Sequence, residues 1–323
     1  MPIHGNPRIL LTGGTGFIGG VVLKSLIALH LRPLVTTRRI SMTAFDPAII
    51  GTFDVAELDL TDPVETKRII TDFEPEIVIH LAGATMHDDP TGDYCYEMNF
   101  AATASLFSLL RETDVKKAVM IGTGSEYGDQ PAPFSEQMET RPVSVYAKSK
   151  ADATNFALGL FERSGFPVTI LRVFTAYGPG QPLNMFISQL VTHAIRNDHF
   201  NMSDGLQERD FVYVDDVADA ILAAVTSDTA TGRVVNIGSG QATALKDIAA
   251  MVWEECEADP EKLHIGAIAK TGDALLDTHA DITLARDLLG WSPKTSLKTG
   301  ISRTIAALKA AAAAIGDAQV PGL

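Results

Sequence analysis

A tyrosine and a lysine four residues apart, Tyr146 and Lys150, are the first candidates for chemistry in this sequence. The residue pattern over 145–164 predicts a helix, and side chains four positions apart project from one helix face. An ammonium group beside a phenol stabilises the phenolate and lowers the tyrosine pKa. Such a tyrosine can act as a general acid or base on a carbonyl or alcohol oxygen. The simpler alternative is a half-buried aromatic residue beside a solvated lysine.

A hydroxyl group could share the proton of that tyrosine. Thr123 follows a strand predicted over 117–121 and opens the run Thr123-Gly124-Ser125-Glu126-Tyr127-Gly128. In an open parallel sheet, ligands bind beyond the carboxyl ends of the strands. Thr123 would therefore face the same substrate oxygen as Tyr146, although a strand-end cap is the simpler role for a lone threonine.

These residues need a scaffold that brings a strand end and a helix together. Apolar segments predict strands near 9–12, 33–37, 54–58, 76–81, 117–121 and 167–173, with helices near 62–72, 97–113 and 145–164 between them. Such alternation is typical of a doubly wound parallel sheet, so we predict an α/β fold of Rossmann type. We predict an NAD(P)-binding domain over 1–173 and a smaller, mixed α/β, mainly substrate-binding region over 174–323. Segments near 209–237 are expected to return to the first domain.

The first strand leads directly into a glycine cluster. Gly13, Gly16 and Gly19 lie between an apolar run and a predicted helix that begins near Phe17. A dinucleotide pyrophosphate needs this order, because the backbone must approach the phosphates closely and the helix N-terminus must face the anion. An ordinary strand-to-helix turn is the alternative.

The second strand ends in two arginines, Arg38 and Arg39, where NAD-binding proteins of this type carry an acid for the ribose hydroxyls. Two guanidinium groups can instead bind a 2′-phosphate. The sequence therefore favours NADP(H), with NAD(H) possible and a solvated loop as the alternative. Asp59, after the third strand, could accept a hydrogen bond from the adenine amine or cap a turn.

Composition limits the classes of function. The chain has 323 residues, 46% hydrophobic and 20% charged, which is enough for a sizeable core. A net charge of −14 argues against nucleic acid or an anionic membrane as partner. No apolar run has membrane-spanning length, residues 1–5 lack the features of a signal peptide, and the two cysteines are far apart. We expect a cytoplasmic protein with a small-molecule substrate.

In this order the motifs resemble the extended short-chain dehydrogenase/reductases, the NAD-dependent epimerase/dehydratase family that acts on nucleotide-activated sugars. The matching segments include Thr12-Gly13-Gly14-Thr15-Gly16-Phe17-Ile18-Gly19, His80-Leu81-Ala82-Gly83, Tyr146 to Lys150, Tyr177-Gly178-Pro179-Gly180-Gln181 and Arg209-Asp210-Phe211-Val212-Tyr213-Val214-Asp215-Asp216. Further matches at 236–240 and 288–293 extend the resemblance over nearly the whole chain.

The resemblance implies roles for individual residues. Tyr146 would be the catalytic acid/base, Lys150 would hold the nicotinamide ribose, and Thr123 would take the place of the family's Ser/Thr. The implied cofactor-binding residues are Gly13, Gly16, Phe17, Ile18, Gly19, Arg38, Arg39, Asp59, Leu60, Leu81, Ala82, Gly83 and Lys150. The implied substrate-binding residues are Ser125, Glu126, Thr175 and Arg209, with Arg209 on the diphosphate. Many relatives form homodimers through the tyrosine-bearing helix, so a homodimer is expected.

The family contains epimerases, dehydratases, reductases and decarboxylases. Dehydratases usually carry a Glu two residues before the Tyr-Gly step, whereas this chain has Ser125 there and Glu126 one residue later. A one-residue shift on an extended segment points the side chain to the other side. The sequence therefore favours an NADPH-dependent reductase of a nucleotide-linked 4-keto-6-deoxy sugar. A nucleotide-sugar 4-epimerase is the alternative, and a non-catalytic NADP(H)-binding regulator is a third, less favoured hypothesis.

Four further positions complete the predictions. Thr175 stands where the family often has an asparagine, which leaves the position of the phosphates or sugar open. His80 is expected to pack at a strand end rather than act as an acid. His193 and His199 have no ligand-like partners, so we predict no metal site.

Overall fold

The computed structural model describes residues 3, 5–41, 45–85, 92–269 and 277–315. Its strands are β1 (Ile9–Thr12), β2 (Leu34–Thr37), β3 (Asp54–Glu57), β4 (Ile77–His80), β5 (Lys117–Thr123), β6 (Val168–Val173), β7 (Thr175–Tyr177), β8 (Phe200–Met202), β9 (Glu208–Tyr213), β10 (Val234–Ile237), β11 (Ala242–Ala244), β12 (Leu263–Ile265) and β13 (Asp277–Thr278).

Helices alternate with these strands. They are α1 (Phe17–Ala28), α2 (Pro63–Phe73), α3 (Asp93–Tyr96), α4 (Ala102–Leu110), α5 (Val145–Ser164), α6 (Phe186–Arg196), α7 (Val214–Thr226), α8 (Leu245–Glu255), α9 (Thr283–Leu289) and α10 (Leu297–Ile315). A π-helical segment, Glu97–Ala101, joins α3 to α4, so the helix predicted near 97–113 begins earlier and is not regular throughout.

The largest sheet has seven parallel strands in the order β10-β6-β5-β4-β1-β2-β3. Alternate residues of each strand face opposite layers: Leu11 and Ile79 belong to the cluster that includes α1 and α7, whereas Leu10 and Val78 belong to the cluster with α4 and α5. Burial on both faces explains why the strands are continuously apolar. The predicted Rossmann-type fold is confirmed, and the carboxyl ends of β1, β4, β5 and β6 meet at one edge.

The region after 173 contributes to two layers. A second sheet has β9 at its centre, paired with β7, β11 and β13, and a short parallel pair joins β8 to β12. Of the segment near 209–237, β10 lies at the edge of the large sheet and α7 packs on it, whereas β9 lies in the second sheet. The division at 173 remains a prediction.

One predicted helix boundary is wrong. The sequence suggests Asp215 and Asp216 as N-caps of a helix from 217, but α7 begins at Val214 with Tyr213 at the cap. Asp216 instead accepts a hydrogen bond from the backbone N–H of Thr295 at 2.9 Å. That distant partner joins α7 to the C-terminal segment and could not be read from local sequence.

Candidate active site

The hydroxyl of Thr123 is fixed by the turn that ends β5. Thr123 is the N-cap of a 3₁₀ turn over Gly124–Tyr127, and its side chain accepts a hydrogen bond from the Ser125 N–H at 3.3 Å. The Glu126 carboxylate returns to accept from the Thr123 N–H at 2.8 Å, which completes a capping box. Thr123 is buried and has little freedom to rotate away.

Tyr146 lies opposite this turn, in the first turn of α5. The helix starts there because Ser144 caps it, accepting from the Ala147 N–H at 3.1 Å, and it ends at Gly165 in the left-handed conformation. The Tyr146 phenol lies near enough to the Thr123 hydroxyl for that hydroxyl to influence its pKa. The structure therefore brings together the side chains that the sequence singled out on separate elements.

Burial determines the pKa values of Tyr146 and Lys150, and the tyrosine pKa differs from the sequence prediction. Burial raises the pKa of Tyr146 to about 12, although the neighbouring Thr123 hydroxyl acts in the opposite direction. Burial lowers the pKa of Lys150 to about 8, against the nearby Glu126 charge, which raises it. Lys150 Nζ donates to the Ile121 carbonyl at 2.8 Å. The expected lowering of the tyrosine pKa is absent because burial dominates, so the phenol is protonated at neutral pH and suits a general acid.

A cavity of about 560 Å³ lies over the glycine turn; we call it the glycine-loop cavity. Its lining includes Gly13, Gly16, Arg38, Arg39, Leu58, Leu60, Leu81, Ala82, Gly83 and Tyr94. Gly13 has φ +73°, and a Cβ there would lie 2.6 Å from the Ala82 nitrogen. A Cβ on Gly19 would lie 2.0 Å from the Gly13 carbonyl oxygen. The backbone is thus as close-packed as a dinucleotide cradle requires, and its size and open helix N-terminus fit such a cofactor.

The remaining predicted cofactor residues lie around this cavity in different ways. Phe17 lines a neighbouring cavity with Pro179 and Gly180, and Ile18 packs against the core. Asp59 lies outside the cavity lining and accepts from the Thr61 N–H and hydroxyl, at 3.0 and 2.8 Å. The turn role of Asp59 is therefore visible, and its contact with adenine stays a prediction.

Tyr94, which the sequence analysis did not select, meets Arg38 across the glycine-loop cavity. Arg38 Nη1 donates a hydrogen bond to the Tyr94 hydroxyl, and the guanidinium lies 5.6 Å from the centre of its ring. Both arginine side chains are exposed at the cavity mouth. The cavity thus has two arginine side chains at its solvent edge.

A second cavity of about 250 Å³, the strand-end cavity, begins at Thr123 and runs between α5 and β9. Its lining is Thr123, Gly124, Ser125, Gly128, Val143, Ser144, Ala147, Val173, Phe174, Thr175, Arg209 and Thr278. Three of the four predicted substrate residues, Ser125, Thr175 and Arg209, therefore share one cavity with Thr123. Arg209 Nη1 donates to the Glu208 carbonyl at 2.7 Å.

Glu126 does not line this cavity, and its predicted contact with substrate is wrong. Its side chain is 0% exposed. One carboxylate oxygen accepts from the Thr123 N–H at 2.8 Å, and the other accepts from Arg172 Nε at 2.8 Å. The partner Arg172 is contributed by β6, which local sequence could not reveal.

Three buried polar residues, His80, Asn99 and Asp210, fix the segments around the site through hydrogen bonds. His80 lies between the Thr12 and Thr103 hydroxyls at 2.7 and 2.9 Å, and burial lowers its pKa to about 3, in agreement with the packed role. Asn99 accepts from the Ala84 N–H at 2.9 Å and donates to Ser149 Oγ at 3.0 Å, which ties the segment after β4 to α5.

Asp210 is the third of these residues. It accepts hydrogen bonds from the backbone N–H groups of Ser239, Gly240 and Ala280. It thereby fixes β9, next to Arg209. Neither Asn99 nor Asp210 has a local sequence signal, because their partners are distant in the chain.

Within the described residues, no cluster of three or more His, Cys, Asp or Glu side chains could hold a metal ion. His199 Nδ1 is hydrogen-bonded to His264 Nε2 at 2.8 Å. Over the same part of the chain, no helix has both the length and the apolar character needed to cross a bilayer.

Sequence and structure comparisons with known proteins agree with this fold and site. The model of the NAD dependent epimerase/dehydratase family matches residues 9–238. The chain is 30% identical to the dTDP-L-rhamnose 4-epimerase of Burkholderia thailandensis, over 91% of this chain and 93% of that protein. It is 29% identical to the dTDP-6-deoxy-L-talose 4-dehydrogenase (NAD(P)(+)) of Kitasatospora kifunensis, over 91% and 93%.

A solved structure, MoeE5 in complex with UDP-glucose and NAD, superposes with a TM-score of 0.82 at 28% identity, covering 94% of this chain and 99% of that one. The chain belongs to the NAD dependent epimerase/dehydratase family. It is an NAD(P)-dependent enzyme of the oxidoreductase and epimerase class, and the relatives named here act on or bind nucleotide sugars.

Proposed function

We propose that the protein reduces the keto group at C4 of a nucleotide-linked 4-keto-6-deoxy sugar with NADPH. The observation that carries this proposal is the pair Arg38 and Arg39 at the mouth of the glycine-loop cavity. Two cations there favour a cofactor with a 2′-phosphate. A reductase consumes one NADPH per turnover, whereas an epimerase recycles a bound cofactor.

Bound NADPH supplies the hydride that forms the new bond at C4. Tyr146 is the proton donor to the C4 oxygen, since its raised pKa keeps the phenol protonated at neutral pH. Thr123, which lies near Tyr146, offers its hydroxyl to the same oxygen. Lys150 holds the nicotinamide ribose and is fixed by the Ile121 carbonyl. The tyrosinate left after the step regains its proton from solvent.

The strand-end cavity would bind the substrate. Arg209 suits the diphosphate, because guanidinium groups bind phosphate oxygens through two parallel hydrogen bonds. Ser125 and Thr175 offer hydroxyls to the sugar or the phosphates. None of the described residues that line this cavity is acidic. Among the described residues, this cavity therefore offers no carboxylate that could remove water from the sugar, which supports reduction over dehydration.

The second candidate is a nucleotide-sugar 4-epimerase, and the relationship to the dTDP-L-rhamnose 4-epimerase favours it. The same Thr123, Tyr146 and Lys150 set serves both reactions, since each passes through a 4-keto sugar. The two candidates differ in net consumption of cofactor. The third hypothesis, a non-catalytic NADP(H)-binding regulator, does not explain why Thr123, Tyr146 and Lys150 are all present in the chain.

We also propose a cytoplasmic homodimer that pairs through α4 and α5. The surface near these helices carries aromatic side chains: Phe100 lies against Phe156 at 6.4 Å between ring centres, and Tyr96 is 39% exposed. Phe100 and Phe156 are half-buried, and a second copy of the chain packed on them would remove their remaining apolar surface from water. Light scattering of the purified protein should give twice the chain mass, and a monomer at micromolar concentration would reject the dimer.

Nicotinamide absorbance tests the reaction. Purified protein is incubated with NADPH or NADH and a panel of nucleotide-linked 4-keto-6-deoxy sugars. The proposal predicts substrate-dependent oxidation that is faster with NADPH. Interconversion of nucleotide sugars at C4 without net oxidation would replace the reductase by the epimerase.

A further inference from the structure

The Glu126 carboxylate does not line the strand-end cavity. It links Thr123, at the end of β5, to the buried guanidinium of Arg172 on β6. Its oxygen Oε1 accepts from the Thr123 N–H, and Oε2 accepts from Arg172 Nε, each at 2.8 Å. Glu126 is 0% and Arg172 is 4% exposed, so the pair has no access to water. A buried pair of this kind is costly to desolvate and is weak evidence for stability alone.

The surrounding backbone is shaped for this pair. Gly122 lies opposite Arg172 in the β5–β6 register. A Cβ on Gly122 would lie 2.5 Å from Glu126 Oε1 and 3.3 Å from Arg172 Cγ. Any other residue at 122 would therefore displace the carboxylate from the Thr123 N–H.

Arg172 is held from its other side as well. Its guanidinium lies 4.6 Å from the centre of the Tyr127 ring. The Tyr127 hydroxyl donates to Asn236 Oδ1 at 2.7 Å, and Asn236 Nδ2 donates to the Phe134 carbonyl at 2.8 Å. The pair is thus fixed by three strands and two loops, with little room for Glu126 to turn toward the substrate cavity.

We propose that Glu126, fixed by Arg172, is a positioning residue of the redox site: it orients the Thr123 hydroxyl and places a buried negative charge beside Tyr146 and Lys150. Its charge favours the ammonium form of Lys150 and disfavours the phenolate form of Tyr146. Both effects keep the protons where a reduction needs them, on the acid and on the ribose-binding amine.

Other ionisable groups face the same two side chains. Cys95 on α3 faces Tyr146, and its charge when ionised would also disfavour the phenolate. His80 on β4 faces Lys150 and is neutral, because burial lowers its pKa to about 3. Glu136 faces Arg172 and accepts from the Asn236 N–H at 2.7 Å. Among these groups, Glu126 is the one whose charge acts on both Tyr146 and Lys150.

The test replaces Glu126 by glutamine, which keeps an acceptor for the Thr123 N–H and removes the charge. Lysine labelled at the ε-carbon reports the protonation of Lys150 by NMR in the unliganded protein, with Lys150→Arg to assign the signal. The titration midpoint should fall by roughly half a pH unit or more, because the stabilising anion is gone. The matched control is Glu139→Gln, an exposed acid in a nearby loop, which should leave the midpoint at its wild-type value.

Kinetics supply the second readout and depend on the proposed function. In Glu126→Gln, kcat should fall roughly tenfold, with the KM for NADPH within about twofold, and the alkaline limb of the pH–rate profile should move to lower pH. The NMR midpoint needs no substrate, so failure of the reductase assay in the wild type would leave it decisive.

One result overturns the proposal: a folded Glu126→Gln protein whose Lys150 midpoint equals that of the wild type. If the single variant does not fold, because Arg172 is left as an unpaired buried cation, Glu126→Gln/Arg172→Gln is titrated in its place. The double variant removes both charges, and the Lys150 midpoint should fall there also. An unchanged midpoint in the double variant would likewise reject the charge role.

Discussion

The two ends of the site are built in opposite ways. At the end beside Thr123, Glu126 and Arg172 are buried. The Glu126 carboxylate accepts hydrogen bonds from the Thr123 N–H on β5 and from Arg172 Nε on β6. At the glycine-loop end, Arg38 and Arg39 are exposed at the mouth of a cavity. Charges in a buried setting act strongly and escape salt screening, whereas exposed charges are weakened by salt.

This difference separates two tasks. The buried end fixes protons and geometry for one chemical step, so small changes there should have large effects. The exposed end is proposed to select between two cofactors that differ by one phosphate, so its effects should be moderate and salt-dependent. Each variant below tests this contrast between the two ends of the site.

The largest effect is expected at the buried end, from Tyr146→Phe. Losing the general acid should lower kcat roughly a thousandfold while NADPH affinity stays within about twofold. Turnover and equilibrium binding by fluorescence measure the two quantities. Tyr96→Phe, which removes the hydroxyl of an exposed tyrosine on α3, is the matched control and should keep its activity. Substantial turnover in Tyr146→Phe would contradict the assignment of the acid.

At the exposed end, Arg38→Ala/Arg39→Ala should weaken NADPH binding roughly 10–100-fold and leave NADH binding nearly unchanged, because hydrogen bonds to a charged phosphate are lost. The NADPH loss should shrink as salt is raised. Isothermal titration at low and high ionic strength measures both.

Arg32→Ala is the control at the opposite end of β2, away from the cavity, since Arg32 is exposed and pairs with Asp54. It should affect neither cofactor. Equal losses for NADPH and NADH in the double variant would remove the 2′-phosphate role and, with it, the contrast between the two ends.

The smallest effect concerns stability and has a defined pH window. The folded-state pKa of Lys150, about 8, lies below its ordinary value of 10.5, so the unfolded chain holds this proton more tightly. The buried ammonium therefore costs stability below pH 8, and the cost disappears as pH rises from 8 to 10.5. Lys150→Met should be more stable than wild type by about 1–2 kcal/mol at pH 7, after allowance for partial exposure.

Urea unfolding at pH 7 and pH 9.5 measures this gain, which should be smaller at the higher pH. Lys148→Met, an exposed lysine on the same helix, should change the free energy of unfolding little at either pH. A destabilised Lys150→Met protein at pH 7 would show that the lysine is held by interactions that outweigh its burial.

The sequence predicts the catalytic set because its signals are local. A four-residue spacing in a helix places Tyr146 and Lys150 on one face, and Thr123 follows an apolar strand. The glycine turn could be predicted for the same reason, because the residues that pack tightly in it, such as Gly13 and Gly19, lie close together in the sequence.

Residues whose role depends on a distant partner could not be predicted. The sequence predicts that Glu126 contacts the substrate. Its burial against Arg172 could not be predicted, because the two residues are 46 positions apart and only the sheet brings them together. Tyr94 contacts Arg38 across 56 positions. The tyrosine pKa was expected to fall because its lysine neighbour is visible in the sequence, whereas the burial that raises it is a property of the fold.

Transfer of a deuterium label tests the central claim most directly. The protein is incubated with NADPH deuterated at the transferable position and a nucleotide-linked 4-keto-6-deoxy sugar, and the sugar product is analysed by mass spectrometry and NMR. The account predicts one deuterium at C4 for each NADPH oxidised. Conversion between C4 epimers of a nucleotide sugar with no deuterium incorporated would contradict it.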